Sequence, residues 1–181
     1  MEKKENIKGL FFNYSTKHWH FEELIKRSGL SRAQTNQWLK RLTKERLIKK
    51  IKTKGKMPCY IANYENIKFN TEKKLYALTQ FEKTGFLAHL SSLKKAKTVI
   101  LFGSFARSDW HNESDIDLFI YGNADNFKKG SYETKLKREI QLFNYEDKKE
   151  LKRLEPAVIP NIIIGLHIKG GIEPFTVKLN E

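Results

Sequence analysis

The sequence predicts an α+β chain of two small folded parts joined by a long helical connector. Three observations support this prediction: positive charge is concentrated in the first part, three helical patterns there precede a basic hairpin, and two short apolar strands lie on either side of a Gly-Ser turn further on. We expect the parts to cover residues 1–63, 64–95 and 96–181.

The charge is distributed unevenly along the chain, whose net charge is +14. Residues 1–100 hold 23 Lys and Arg against 8 Asp and Glu, whereas residues 101–181 hold 12 against 13. Since Lys and Arg neutralise phosphates and release their counterions, the imbalance favours a polyanionic partner for the N-terminal part. Composition alone leaves a second reading open, in which the lysines form a solvated surface without a partner.

Composition also bears on location. No stretch of about 18 apolar residues is present, so no membrane span is expected. The first residues lack the apolar core of a secretory signal. The single cysteine, Cys59, cannot form an internal disulfide. Together these features predict a cytoplasmic protein without membrane contact.

The N-terminal part is predicted to contain three helices and a hairpin. Gly29 is placed to end the second helix, and Ser31 with Gln34 forms a capping-box pattern before the third. The predicted elements are helices over Lys4–Tyr14, Phe21–Ser28 and Arg32–Glu45, and hairpin strands over Leu47–Thr53 and Met57–Ala62.

The third helix has the composition of a helix that enters the DNA major groove. Its outer face carries Arg, Lys, Asn and Gln, and these side chains can bond to base edges or phosphates. The hairpin adds lysines near one turn. We therefore predict duplex DNA as a partner, bound by Arg32, Asn36, Gln37, Lys40, Arg41, Lys50, Lys52 and Lys54.

This arrangement resembles the winged helix-turn-helix family. The residues that carry the resemblance run from Leu30-Ser31-Arg32 through Leu42 and Glu45 to Leu47-Ile48. The resemblance implies DNA binding by the third helix and by the hairpin as a wing. The alternative is a basic helical domain that binds a protein partner or forms a homodimer.

A Gly-Ser turn and an Asp-x-Asp pair carry the chemistry of the C-terminal part. Strands are predicted over Thr98–Phe102, Asp115–Tyr121 and Arg138–Tyr145, with helices over Tyr132–Lys137, Asp147–Leu154 and Val158–Ile168. Gly103 and Ser104 can meet phosphate oxygens at a helix start, and Arg107 adds positive charge. Asp115 and Asp117 project from one face of a strand, where Mg²⁺ would offset their repulsion.

The stretch from Leu101-Phe102-Gly103-Ser104 to Asp115-Ile116-Asp117 resembles the polymerase-β-like nucleotidyltransferase superfamily, especially its minimal members. The resemblance implies a small mixed sheet with flanking helices. It also implies that Gly103 and Ser104 hold a nucleoside triphosphate, ATP above all, and that Asp115 and Asp117 bind Mg²⁺, with two ions possible. The segment Asn161–Gly170 is similar to the family's closing helix and glycine.

Two positions depart from the family pattern. Ser108 follows Arg107 where the family has glycine. By register, Gln141 falls where the family has a third carboxylate, and Gln141 cannot supply a negative charge. Glu139 points to the same face as Gln141 and is the candidate replacement in the catalytic set.

Two functions follow from these features. The first is transfer of a nucleoside monophosphate from an NTP to a hydroxyl acceptor, which could be a protein, combined with DNA binding. The alternative is a DNA-binding transcriptional regulator, or an antitoxin with a toxin partner, whose nucleotidyltransferase domain is catalytically degenerate.

Overall fold

The computed structural model describes residues 6–175, and the chain divides into two compact units. They are Met1–Tyr76 and Ala77–Glu181. The division falls inside the segment expected to be a connector, and the boundaries at 63 and 95 stay a prediction. Among the described residues, none of the helices combines the length and apolar character that crossing a membrane requires.

The first unit combines helices with a small antiparallel sheet. Its elements are α1 (Ile7–Asn13), β1 (Trp19–His20), α2 (Phe21–Ser28), α3 (Arg32–Lys44), β2 (Ile48–Ile51), β3 (Cys59–Ala62) and the first part of α4 (Ile67–Lys83). The strands lie in the order β1-β3-β2, and both pairings are antiparallel. The three predicted helices and the hairpin are confirmed within the described residues, and residues 4 and 5 of the first predicted helix lie outside them. The two-residue strand β1 was not predicted.

The turn between α2 and α3 follows the local sequence signals. Gly29 adopts the left-handed conformation, with φ of 64°, that closes α2. The Ser31 side chain accepts a hydrogen bond from the backbone N–H of Gln34, and the Gln34 side chain accepts one from the backbone N–H of Ser31. This reciprocal cap fixes where α3 begins, so that Leu39 and Leu42 are buried.

The second unit is built on a four-stranded mixed sheet. After the end of α4 come α5 (Phe86–Ser92), β4 (Ala96–Phe102), α6 (Gly103–Arg107), β5 (Ile116–Gly122), α7 (Lys129–Leu136), β6 (Ile140–Tyr145), α8 (Lys148–Leu151), α9 (Ile159–Ile163) and β7 (Leu166–Lys169). The strand order is β6-β5-β4-β7. β5 and β6 are parallel, and β4 is antiparallel to both of its neighbours. The predicted mixed sheet with flanking helices is confirmed.

Two groups of apolar side chains hold this sheet and its first helices in place. A buried cluster forms on β4 and β5 with residues of the C-terminal segments, namely Ile100, Phe102, Phe119, Leu154 and Ile162. In a separate aromatic group, the ring of Phe105 lies 5.4 Å from that of Phe81 and 5.1 Å from that of Trp110. Since Phe105 belongs to α6, this packing anchors the short helix that follows β4.

The helix predicted over Val158–Ile168 is wrong in its second half. The helix ends at Ile163, and Leu166–Lys169 form the edge strand β7 against β4. The backbone at Gly165 passes so close to β4 that a Cβ there would lie 2.7 Å from the Leu101 carbonyl oxygen. An apolar run of this kind has no helical or strand period of its own, so the exposed β4 edge decides its conformation.

Candidate functional site

Asp115 and Asp117 lie at the N-terminal end of β5, and Asp117 shares its side of the sheet with Phe102 and Phe119. Ile116, between them, is fully buried, so the alternation of the strand turns both carboxylates the other way. Asp115 directly precedes the strand and is exposed, whereas Asp117 is half-buried. The predicted pair therefore sits on one face.

The electrostatic environment of Asp117 disfavours its charge. Burial raises the pKa of Asp117 above its ordinary value, and the negative charge of Asp115 raises the pKa further. Arg107 acts in the opposite direction and lowers it. A buried carboxylate beside a second carboxylate is a setting that a bound cation would stabilise.

Gly103 lies against Asp117 at the end of β4. In the sheet, Phe102 pairs with Asp117, so the next residue crosses directly over the carboxylate. A Cβ on Gly103 would overlap the Asp117 carboxylate, lying 2.8 Å from its Cγ. The backbone φ of Gly103 is 68°, in the left-handed region. Only glycine satisfies both the close approach and the backbone conformation here.

Ser104 and Arg107 lie on α6, the short helix that begins at Gly103. The Arg107 Nε atom donates to Asp109 Oδ2 over 2.9 Å, and both side chains are substantially exposed. Arg107 is therefore held near the site by a weak surface ion pair that an anionic ligand could replace. Ser108 ends α6 with φ of 69°, in the left-handed region that glycine adopts more readily than serine.

Gln141 lies directly beside Asp117 on the parallel strand β6, as the predicted register requires. Glu139 precedes β6, and its backbone carbonyl accepts a hydrogen bond from the Ile116 N–H over 2.9 Å. Within residues 6–175, no group of three or more His, Cys, Asp or Glu side chains is arranged to hold a metal. The role of Glu139 as a third carboxylate stays a prediction.

A concave surface adjoins the aspartate pair along β6. Its volume is about 440 Å³, and charged groups of both signs line it. The lining includes Asp115, Lys129, Glu133, Glu139 and Gln141. This surface gives an incoming molecule access to Asp115 from the side of β6.

Arg138 is the residue near the site that sequence reasoning missed. Its side chain donates to three carbonyl groups of the loop before Asp115. A single arginine before a strand carries no recognisable signal, because its partners are backbone atoms more than 20 residues away.

The side chains predicted to bind DNA lie on the solvent side of the first unit. All five on α3 are exposed, as are the three hairpin lysines. Arg32 forms an exposed ion pair with Glu22, and Arg41 forms one with Glu45. Exposed pairs of this kind contribute little stability, so both guanidinium groups can exchange their partners for a ligand.

Two known proteins, a relative in sequence and a solved structure, are each similar to part of the chain. A relative from Methanocaldococcus jannaschii, named as a putative protein adenylyltransferase, is 55% identical over 31 residues. That match covers 17% of this chain and spans 31% of the relative's length. A chain in the crystal structure of a toxin–antitoxin MntA–HpeT mutant is 14% identical with a TM-score of 0.34, over 55% of this chain and 75% of that one.

The family model gives the broadest match. The model of the nucleotidyltransferase domain matches residues 84–177, just over half of the 181-residue chain. The matched region contains the Gly-Ser turn, the aspartate pair and strand β6. The chain therefore belongs to the nucleotidyltransferase domain family.

Proposed function

We propose that the second unit binds an NTP together with Mg²⁺ at Asp115 and Asp117 and transfers a nucleoside monophosphate to a hydroxyl acceptor. The observation that carries the proposal is the placement of Asp117, a half-buried carboxylate that lies beside Asp115 and under the backbone of Gly103. Two neighbouring carboxylates, of which one raises the pKa of the other, suit a cation shared with a charged ligand.

The residues present fit one Mg²⁺. Mg²⁺ is commonly held by one or two carboxylates, with substrate phosphates and water completing its shell, and Asp115 with Asp117 supplies the carboxylates. When bound, the ion would offset negative charge on the triphosphate. Gly103 leaves room over Asp117 because it has no side chain, and Arg107 contributes positive charge on the same side.

The proposed transfer forms a bond between the acceptor oxygen and the α-phosphorus and breaks the bond from that phosphorus to the bridging oxygen. Pyrophosphate leaves with the electron pair, and the hydroxyl proton passes to a base or to solvent. Catalysis of such a displacement consists mainly of positioning and charge stabilisation. We propose ATP as the donor and a protein hydroxyl as the acceptor, and the name of the archaeal relative supports both choices.

A second candidate function is favoured by Gln141. If no negative side chain completes the site, NTP and Mg²⁺ bind but transfer is slow. The chain would then act as a DNA-binding regulator, or as an antitoxin with a toxin partner, whose transferase unit senses nucleotide. Transfer of labelled AMP from ATP to acceptor peptides containing Ser, Thr and Tyr separates the two functions, since the second predicts binding without transfer.

For the first unit we propose duplex DNA binding by a winged helix-turn-helix domain over residues 1–63. Support comes from the exposed polar face of α3, reaching from Arg32 to Arg41, and from the exposed lysines beside the β2–β3 turn. Arg, Asn and Gln on α3 would contact bases, and the hairpin lysines would contact phosphates. Cytoplasmic location and assembly into a homodimer are parts of the same proposal.

A further inference from the structure

Arg138 lies where the loop leading to Asp115 folds back on itself. Its Nη1 atom donates to the carbonyl oxygens of His111 at 2.8 Å, Asn112 at 2.9 Å and Ser114 at 2.8 Å. One guanidinium nitrogen thus joins three backbone acceptors within a four-residue span. Ser114 is the immediate neighbour of Asp115, so the last of these bonds fixes the peptide from which the carboxylate extends.

The same guanidinium also packs on two aromatic rings. Its central carbon lies 5.1 Å from the ring centroid of Phe105 and 5.3 Å from that of Trp110. These two rings stack on each other with planes 7° apart, and both are buried. Cation–π contact with two rings restricts the position of the guanidinium, since a rigid planar group has few orientations that satisfy both.

The contacts of Arg138 connect the separate parts of the site. Phe105 follows Ser104 on α6, and Asp115 follows the bonded loop. Arg138 itself lies two residues before β6. Asp115 lies before β5, so the strand ladder does not include it, although the next residue, Ile116, does pair with β6. The loop carbonyls therefore need a separate anchor.

We infer that Arg138 is a positioning residue that sets the place of the Asp115 carboxylate in the metal site. This inference rests on the proposed function of Asp115 and Asp117. Lysine at this position keeps the charge and three N–H donors, but it has no planar guanidinium that can pack on both rings while one of its nitrogens reaches the loop. Arg138→Lys leaves both aspartates in the chain and changes only the support of one of them.

The test compares the full-length wild type with Arg138→Lys, Arg138→Met and the control Arg153→Lys, which changes an exposed arginine of the same unit. Binding of an ATP analogue with a methylene bridge between its α- and β-phosphorus atoms is measured as Mg²⁺ is raised. Amide hydrogen exchange of Ser114 and Ile116 is followed in metal-free protein. Both measurements are made well below the melting temperature of each variant.

We expect the Mg²⁺ concentration for half-maximal analogue binding to rise about tenfold or more in Arg138→Lys, because supporting residues of metal ligands typically carry effects of 10–100-fold. Excess Mg²⁺ should restore binding in that variant. Exchange at Ser114 and Ile116 should accelerate, and Arg153→Lys should change neither measurement. A general loss of stability would leave the Mg²⁺ midpoint unchanged, because each variant stays folded at the temperature of measurement.

An unchanged Mg²⁺ midpoint in both Arg138 variants would overturn the inference, even if they melt at lower temperature. Faster exchange in the loop without a shifted midpoint would overturn it too, because the anchor would then have no bearing on the metal site. Analogue binding by the wild type that ignores Mg²⁺ would refute the proposed function itself, and that result is visible without any variant.

Discussion

Gln141 lies directly beside Asp117, in register on the neighbouring parallel strand. A neutral side chain therefore stands where a carboxylate would face the half-buried aspartate. Gln141→Asp should raise AMP transfer to generic hydroxyl acceptors by about tenfold or more, because a further negative ligand would support the reacting hydroxyl. Transfer is measured with α-labelled ATP and peptides containing Ser, Thr and Tyr.

Gln141→Asn is the matched control, since Asn has the shape of Asp without its charge. It should leave the rate at the wild-type level. Robust transfer by the wild type, unaffected by Gln141→Asp or by Glu139→Gln, would mean that another acid completes the site.

Asp117 should destabilise the metal-free protein once it is ionised. Burial and the charge of Asp115 raise its pKa, so the folded state holds the Asp117 proton more tightly than the unfolded state does. The stabilisation of the folded state by this tighter proton binding is present in full below the ordinary aspartate pKa of 3.8. It is lost as the pH rises through the raised pKa of Asp117. Asp117→Asn should therefore raise the melting temperature at pH 7. This gain in melting temperature should disappear at acidic pH, where Asp117 is protonated in the wild type.

The exposed acid Asp125 supplies the control for this titration. Melting of wild type, Asp117→Asn and Asp125→Asn is followed from pH 3.5 to 7.5, a range of about four units around the carboxyl pKa values. A gain at neutral pH shared equally by both variants, or none in Asp117→Asn, would refute a destabilising charge at Asp117.

Gly103→Ala should damage both the fold and the site. A non-glycine residue in the left-handed region costs about 1–3 kcal/mol, and the new methyl group would also displace the Asp117 carboxylate. Gly130→Ala is the control, because a Cβ at Gly130 meets nothing within 4 Å. It should be neutral or stabilising by up to about 1 kcal/mol.

Urea unfolding measures the stability of these two variants, and Mg-dependent ATP binding measures the site. Equal stability of Gly103→Ala and Gly130→Ala, with nucleotide binding intact in both, would contradict the close packing of Gly103 on Asp117.

The elements with local signals were predictable from sequence. Gly29 and the Ser31–Gln34 pair fix the turn between α2 and α3 within a few residues, so no distant contact is needed to locate it. The register that places Gln141 beside Asp117 was also predictable from the sequence, because alternation along β5 and β6 determines which residues share a face.

Features that depend on distant contacts were not predictable. Leu166–Lys169 form a strand only because β4 offers an open edge, so the local pattern alone suggested a helix. The hydrogen bonds of Arg138 join it to backbone carbonyls 24 to 27 positions away. No pattern of side chains in the sequence indicates such bonds.

The hairpin lysines should govern DNA affinity through charge. In the full-length chain, combined Lys50→Glu, Lys52→Glu and Lys54→Glu should weaken binding to all duplexes alike. It should also reduce the slope of log affinity against log salt by about 3, since each lost phosphate contact removes about 0.9. Fluorescence anisotropy with unrelated duplexes at several salt concentrations measures both effects.

The control reverses three exposed lysines of the second unit, Lys148, Lys149 and Lys152, which changes net charge by the same amount. It should leave DNA affinity close to the wild-type value. Equal weakening by the two triple variants would show that overall charge, rather than the hairpin, determines binding. Asn36→Ala should instead relax sequence preference.

Calorimetry measures directly whether Asp115 and Asp117 bind Mg²⁺ together with ATP. ATP is titrated into the full-length wild type, Asp115→Asn, Asp117→Asn and the control Asp125→Asn, each with Mg²⁺ and with EDTA. We expect the wild type and Asp125→Asn to bind ATP only when Mg²⁺ is present, and the affinity to fall by at least about tenfold in the other two variants. Equal ATP affinity in all four proteins, with and without metal, would contradict this expectation.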